Sequence, residues 1–321
     1  MDGNQKIDRF GWYSSNSDQY VIPDEPEKEY TREIKWIQMI SNWELWIKNN
    51  QSVISRRIKK GIPDAVRSKV WELLTEANIT KQKFQNSYEH YLKLPPREDY
   101  ERIERDLNRT FPQISFFSKP DFIQALQNNL RAYCQFSPDV GYSQGMAFLD
   151  AMFLMYFDEE TSFWAFNNVM IGKRTNHIGF FQKGAPRLIA STHIFEDLVR
   201  EDFPSVMSNF ENRNIKFHFF CTKWFLPAFL SMEWPSEMQL RIYDMFLYYG
   251  LRFLLSFGLV IIKVHKSELK KMSMEELLPL LQNPDKSEKM ADWPSIFSKQ
   301  LPKVFIPKKR YKKFLKKYKI Q

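Results

Sequence analysis

Three observations predict an all-α fold. Apolar residues recur every three or four positions through most of the chain, which is the spacing of one helix face. Short alternating runs bounded by turn signals are not found, so strands are at most incidental. With 321 residues, 43% apolar and 16% aromatic, the chain has ample side chains for a sizeable core. No fixed-period repeat is visible, which disfavours a regular solenoid.

The first thirty or so residues, rich in Asp, Asn, Ser and Pro, read as an extended lead-in whose Phe10, Trp12 and Tyr13 can dock on the body. Trp36, Ile37, Ile40, Trp43 and Ile47 then predict one amphipathic helix over 32–48. Gly61-Ile62-Pro63-Asp64 breaks the chain, with Asp64 placed to cap a helix carrying Ala65, Val66, Val70, Trp71 and Leu74. Residues 78–99 read as a helix followed by a loop at Leu94-Pro95-Pro96. A helix over 99–109 must stop before Phe111-Pro112, because a residue preceding proline is pushed out of the α region.

The pattern Phe122, Ile123, Leu126, Leu130, Tyr133 and Cys134 predicts a helix over 121–135. A polar turn follows at 138–146, then apolar helices over 146–157 and 159–170. Asp158-Glu159-Glu160 sits where acidic groups suit the positive end of the second one, so capping explains it. The glycine- and charge-rich stretch 171–184 is expected to be a loop between two halves. Further helices are predicted at 186–201, 204–212, 217–229, 235–249, 251–265, 274–281 and 293–299. The resulting division is a lead-in with its helix (1–55), a main domain (56–265, its first half ending near 172), closing helices (266–307) and a basic tail (308–321).

Several function classes are excluded or left without support. Cys134 and Cys221 stand alone, which rules out a disulfide framework or cysteine-based zinc site and suits a reducing compartment. His90, His177, His193, His218 and His265 never fall in a metal-ligand spacing, and no phosphate-loop, dinucleotide or nucleophile-elbow sequence is present. The runs 146–157 and 251–264 are too short to span a bilayer and carry Asp150, Arg252 and Lys263. The polar residues 1–20 contain no apolar signal core, so a cytosolic protein is expected. Net charge is +9, yet eight basic residues and no acidic one lie between Lys308 and Lys319; removing those eight leaves the rest at +1. Any anionic partner implied by charge is thus a partner of the tail.

Three constellations remain. Arg67 and Trp71, four apart, share a helix face. In the second, Ile103 and Leu107 face the core while Asp106 and Arg109, three apart, can meet at the helix end and hold the guanidinium in a fixed direction. The third is Gly141-Tyr142-Ser143-Gln144-Gly145, where the glycines permit conformations closed to other residues and allow close approach of a partner. Each alone is better explained by packing. Together, an arginine fixed at a helix end and a glutamine on a glycine turn are the two parts that phosphoryl transfer on a GTPase needs.

The chain resembles a TBC-domain Rab GTPase-activating protein. The likeness runs in order through Arg67 and Trp71, through Ile103, Asp106 and Arg109, and through Tyr142 and Gln144. Gly61-Ile62-Pro63, Arg109-Thr110-Phe111-Pro112, Trp224-Phe225-Leu226-Pro227 and the run from Arg241 to Gly250 extend it over about 61–265. It departs at Ser68, where the family often has glycine, and at Tyr243, where tryptophan is common.

The resemblance implies an all-helical, V-shaped domain of two helical subdomains whose groove takes a GTP-loaded Rab. By carry-over Arg109 is an arginine finger and Gln144 a glutamine finger. Asp106 would orient Arg109, Tyr142 would hold the turn, and Arg67 with Trp71 would brace the first helix and the groove. No cofactor of its own is implied, since GTP and Mg2+ belong to the partner. A cytoplasmic protein, peripheral on endomembranes and serving vesicle trafficking, follows from that substrate class. The competing reading is a Rab-binding scaffold without catalysis, though scaffolds of this kind commonly lack one or both fingers.

In the tail, Tyr311, Phe314, Leu315 and Tyr318 fall on one side of a helix and the lysines on the other. Contact with an anionic membrane and docking of the aromatic face on the body fit this pattern equally well, and nucleic acid fits it less well.

Overall fold

A computed structural model describes residues 26–320. No strand occurs among the described residues. Docking of Phe10, Trp12 and Tyr13 lies outside them.

Three helices precede the main domain: α1 (Pro26–Ile40), α2 (Trp43–Asn49) and α3 (Gln51–Lys60). The single helix expected over 32–48 is two. Ser41 Oγ donates to the carbonyl of Ile37 at 2.9 Å and Asn42 leaves helical geometry, because short polar side chains offer the backbone an alternative to the next helical turn.

The first half contains α4 (Asp64–Thr75), α5 (Ala77–Lys83), α6 (Ser87–Leu92), α7 (Tyr100–Leu107), α8 (Pro120–Phe136), α9 (Met146–Leu154) and α10 (Glu159–Ile171). Helices α8, α9, α10 and α5 pack together. Pro120 opens α8 at a position whose missing N–H costs nothing, and the Asp158 side chain caps α10 by accepting from Thr161 N at 2.9 Å. Burial alone would raise the Asp158 pKa, but bonds from Thr161 and Lys81 hold it below the ordinary carboxylate value. Asp64 does not cap α4. It is the first helical residue, Pro63 precedes it, and its carboxylate is taken by Arg67 and the Tyr156 hydroxyl.

The second half contains α11 (Pro186–Asp202), α12 (Pro204–Asn212), α13 (His218–Phe225), α14 (Ser236–Tyr249), α15 (Leu251–Val264), α16 (Lys266–Leu269) and α17 (Met274–Gln282). Five short pieces follow before the tail: one-turn helices at Pro284–Lys286 and Glu288–Met290, α18 (Trp293–Ser295), a π-turn at Ile296–Gln300, and α19 (Leu301–Val304). Helices α11, α13 and α15 form its centre, and α14 packs on α15, α3 and α4. Helices α14 and α15 are buried almost all round, which is why no clean polar face is legible in either. The expected loop 171–184 includes a one-turn helix at His177–Phe180 whose His177 and Phe180 are buried, so this segment contributes to the core.

Two ionisable groups inside this core make opposite demands. Asp150 on α9 is fully buried; Oδ1 accepts from Ser162 Oγ at 2.8 Å and Asn129 Nδ2 at 3.3 Å, while Oδ2 has no partner. Burial outweighs those two bonds and pushes its carboxyl up to about 7. His177 is also fully buried, with Nε2 2.8 Å from the Leu226 carbonyl, and burial pushes it down to about 4. In both, burial favours the neutral form, because an unpaired charge is costly there.

The tail forms α20 (Lys308–Lys317). Phe314 is buried, and Tyr311, Leu315 and Tyr318 pack against the core. The aromatic face therefore docks on the body.

Candidate functional site

The site is built where α7 ends and the turn between α8 and α9 begins. Ile103 and Leu107 bury one face of α7, worth roughly 1.5–3 kcal/mol each, and this directs Asp106 and Arg109 outward. Past Leu107 the chain turns: Arg109 N donates to the Asp106 carbonyl at 3.0 Å, and Thr110 Oγ1 to the same oxygen at 2.9 Å. Phe111 then locks the exit. It is fully buried, meets Phe148 edge-on at 5.0 Å, and holds φ +48°, a left-handed conformation costly for a bulky residue and found mainly where surrounding structure enforces it.

The glutamine turn is equally constrained. Gly141 N donates to Ser137 O at 2.9 Å, and Arg97 Nη2 donates to Pro138 O at 3.1 Å. Gly141 sits at φ +61°, where a Cβ would lie 2.6 Å from Asp99 Oδ2. Gly145 sits at φ +104° against Leu226 and Pro227 of the second half. Between them Tyr142 is buried at 2% exposure, whereas Gln144 is exposed. Leu226, which packs against this turn, has its carbonyl bonded to His177.

The two segments are joined by one bond. Tyr142 Oη donates to Asp106 Oδ2 at 2.9 Å. Burial first, and then the Asp106 carboxylate, raise the Tyr142 pKa, so the phenol remains a donor. Arg109 lies three residues beyond Asp106 and Gln144 two residues beyond Tyr142, so the bond ties together the two segments that carry them. Both are exposed, and among the described residues neither side chain has a hydrogen-bond or ion-pair partner. The expected Asp106–Arg109 ion pair is not formed: the carboxylate is turned toward Tyr142, whose buried hydroxyl needs an acceptor more than an exposed guanidinium does.

Arg67 and Trp71 do not enter this site. Both meet Asp244 on α14: Arg67 Nε is 3.3 Å and Trp71 Nε1 2.8 Å from Oδ1. Arg67 also donates to Ile62 O at 2.8 Å and Tyr156 Oη at 3.3 Å. Burial alone would lower its pKa, but Asp244, Tyr156 and Asp64 hold it above the ordinary arginine value. Trp71 lies edge-on to Tyr156, Tyr243 and Phe153 at 4.8, 5.1 and 5.9 Å. Three residues before Asp244, Arg241 donates to the Ile58 and Lys59 carbonyls at 2.9 and 2.6 Å, ending α3. One after Arg241's neighbour Ile242, Tyr243 donates to Leu149 O of α9 at 2.7 Å. This bracket fixes α4, α9 and α14 to one another beneath the site.

Asp99, Leu226 and Asp244 were not legible as site-supporting residues. Asp244 alone had a signal, a single carboxylate inside the apolar run 241–250. Among the described residues, no group of three His, Cys, Asp or Glu side chains gathers as a metal site, and no helix is long and apolar enough to cross a membrane.

The Rab-GTPase-TBC domain model matches residues 64–270. The chain belongs to the TBC-domain family. Among curated relatives, it is 31% identical over 287 residues to the TBC1 domain family member whacked of Drosophila melanogaster, covering 87% of this chain and 78% of that one. It is 29% identical over 261 residues to the Rab GTPase-activating protein eat-17 of Caenorhabditis elegans, covering 80% of this chain but 29% of the relative. The same limited span holds for the human ecotropic viral integration site 5 protein homolog, 31% identical over 78% of this chain and 30% of its own length. Among solved structures, the Chlamydomonas flagellar RabGAP TBC domain superposes with a TM-score of 0.71 at 22% identity, covering 94% of this chain and all of that one. The Ypt/Rab-GAP domain of GYP1P superposes with a TM-score of 0.67 at 19% identity, covering 84% and 98%. These likenesses show the TBC fold, all-α as expected.

Proposed function

We propose that this TBC domain accelerates GTP hydrolysis by a Rab-family GTPase in its GTP-bound state, with Arg109 as arginine finger and Gln144 as glutamine finger. The observation that carries this reading is the Tyr142–Asp106 bond, which ties together two segments whose exposed ends bear a guanidinium and an amide with no partner among the described residues. In hydrolysis, water attacks the γ-phosphorus and the bond to the β–γ bridging oxygen breaks, placing charge on the phosphate oxygens. Arg109 would neutralise that charge, and Gln144 would orient the water. An arginine supplied in trans contributes about 10³ to 10⁵ in rate. GTP and Mg2+ are the partner's, and the chain needs no cofactor of its own. A cytoplasmic protein working at endomembrane faces is part of the same reading.

The test is phosphate release from a panel of GTP-loaded Rab proteins. Acceleration of at least one supports the proposal. Binding without acceleration would replace it by the scaffold reading, and neither binding nor acceleration across the panel would remove both.

A further inference from the structure

Docking of α20 sorts its charges. Arg310 is held by Asp202 at 2.9 Å and Glu201 at 2.7 Å, and Lys317 by Asp197 at 2.5 Å. Lys308, Lys309, Lys312, Lys313, Lys316 and Lys319 are exposed and have no carboxylate partner among the described residues. Lys308 and Lys312, one turn apart, form a wall of a concavity of about 1260 Å³ whose other cations are Lys83, Lys173, Arg174 and Arg252. Glu76 is its one acidic lining residue.

The cations are held largely by rings and backbone carbonyls. Arg174 lies over the Tyr248 ring at 5.5 Å, and burial lowers its pKa despite the opposing pull of Tyr248 and Glu76. Its carbonyl is pressed against Gly250, where a Cβ would stand 2.1 Å away, and Thr175 Oγ1 donates to Val169 O at 2.5 Å, so the Lys173-Arg174 corner has a fixed direction. Arg252 Nε donates to Ile306 O at 2.7 Å, and its guanidinium lies 4.7 Å from the Phe305 ring. Lys59 lies on that ring at 4.3 Å, and its pKa is lowered by burial and then by Arg252. Like charges gathered with one carboxylate among them repel one another unless an anion joins them. None of Asp106, Arg109, Tyr142 or Gln144 lines this concavity.

We propose that the concavity and the outward lysines of α20 form a docking surface for an anionic membrane, with a phosphate-bearing lipid headgroup entering between Arg174 and Lys312. Lipid is favoured over nucleic acid because the site is a concavity backed by the fixed Lys173-Arg174 corner and continued by the outward lysines of α20, while its rings are already engaged: Tyr248 lies under Arg174 at 5.5 Å and Tyr249 meets Phe305 edge-on at 4.9 Å. A surface of this kind adds about fivefold in affinity per basic residue and weakens with salt. The proposal stands independently of the GTPase-activating reading.

The test is co-sedimentation of the full chain with phosphatidylcholine vesicles and with vesicles of equal parts phosphatidylserine and phosphatidylcholine. The variant K173Q/R174Q/K308Q/K312Q is compared with the control K299Q/K303Q, whose two lysines are exposed elsewhere. Partition onto the serine-containing vesicles should fall by at least about a hundredfold in the first variant and stay within about twofold of wild type in the control. Thermal melts and Rab phosphate release in solution should match wild type for both. Equal partition of wild type onto both vesicle types, or equal partition of wild type and the quadruple variant, would overturn the proposal. Inorganic phosphate should release the protein more than chloride does at the same ionic strength, because it competes for the place of the headgroup, and tighter binding to a DNA duplex than to the vesicles would overturn the proposal.

Discussion

The hydroxyl of Tyr142 donates to Asp106 Oδ2 at 2.9 Å across 36 positions of sequence, and this bond joins the end of α7 to the turn before α9. Its loss should be felt in geometry more than in packing. Tyr142→Phe keeps the buried ring but leaves a half-buried carboxylate without its donor, at a cost of about 1–3 kcal/mol. If the bond aligns Arg109 with Gln144, GTPase acceleration should fall by about tenfold to a hundredfold while Rab binding changes little. Single-turnover hydrolysis beside a binding titration checks this; an unchanged rate would reduce the bond to a structural one.

The two glycines of the turn should respond unequally. Gly141→Ala would meet both a left-handed φ and the Asp99 carboxylate at 2.6 Å, whereas Gly145→Ala would meet strain but only ordinary contact at 3.5 Å. Urea denaturation should show Gly141→Ala losing about 2 kcal/mol or more and Gly145→Ala about 1 kcal/mol. A larger loss at Gly145 would contradict the described backbone.

Asp244 is fully buried and serves two donors, Arg67 and Trp71. Asp244→Asn preserves shape but removes the charge that compensates buried Arg67, so stability should drop by about 3 kcal/mol or more. Chemical denaturation measures it. A near-neutral result would mean that Tyr156 and Asp64 suffice for Arg67.

Asp150 and His177 give the protein opposing pH dependences. The folded Asp150 carboxyl titrates at about 7 against an ordinary 3.8. Its contribution is complete below about pH 4 and is lost as pH rises through 7. His177 titrates at about 4 against an ordinary 6.5, so its contribution is present above about 6.5 and lost as pH falls toward 4. Between those limits the two slopes offset. Asp150→Asn should therefore expose the His177 slope: relative to wild type the variant gains about 3 kcal/mol between pH 5 and pH 7.5. Urea midpoints at both pH values test this, and a constant difference between variant and wild type would contradict it.

Helices opened or closed by proline were the easiest to read. Pro204 opens α12 over the predicted residues, and Phe111-Pro112 lies just beyond the end of α7. Helix α3 was missed because its buried Ile54 and Ile58 stand among polar and basic residues, too few to mark a face. The positions proposed as fingers were legible because each motif is local. Their supports were not, because they come from distant sequence: Asp106 finds Tyr142, and Arg67 finds Asp244, 177 positions away. The same holds for α20. Its aromatic period predicted a helix with two faces, but the acceptors that seat it, Asp197, Glu201 and Asp202, lie more than a hundred residues earlier.

The central claim concerns Arg109. Single-turnover GTP hydrolysis by a responsive Rab should lose about 10³-fold or more of its acceleration with Arg109→Ala, and Arg109→Lys should not restore it because an ammonium lacks the planar fork. The fold should be unaffected, since the side chain is exposed and makes no bond within the domain. A hydrolysis rate equal to wild type with Arg109→Ala would contradict the account.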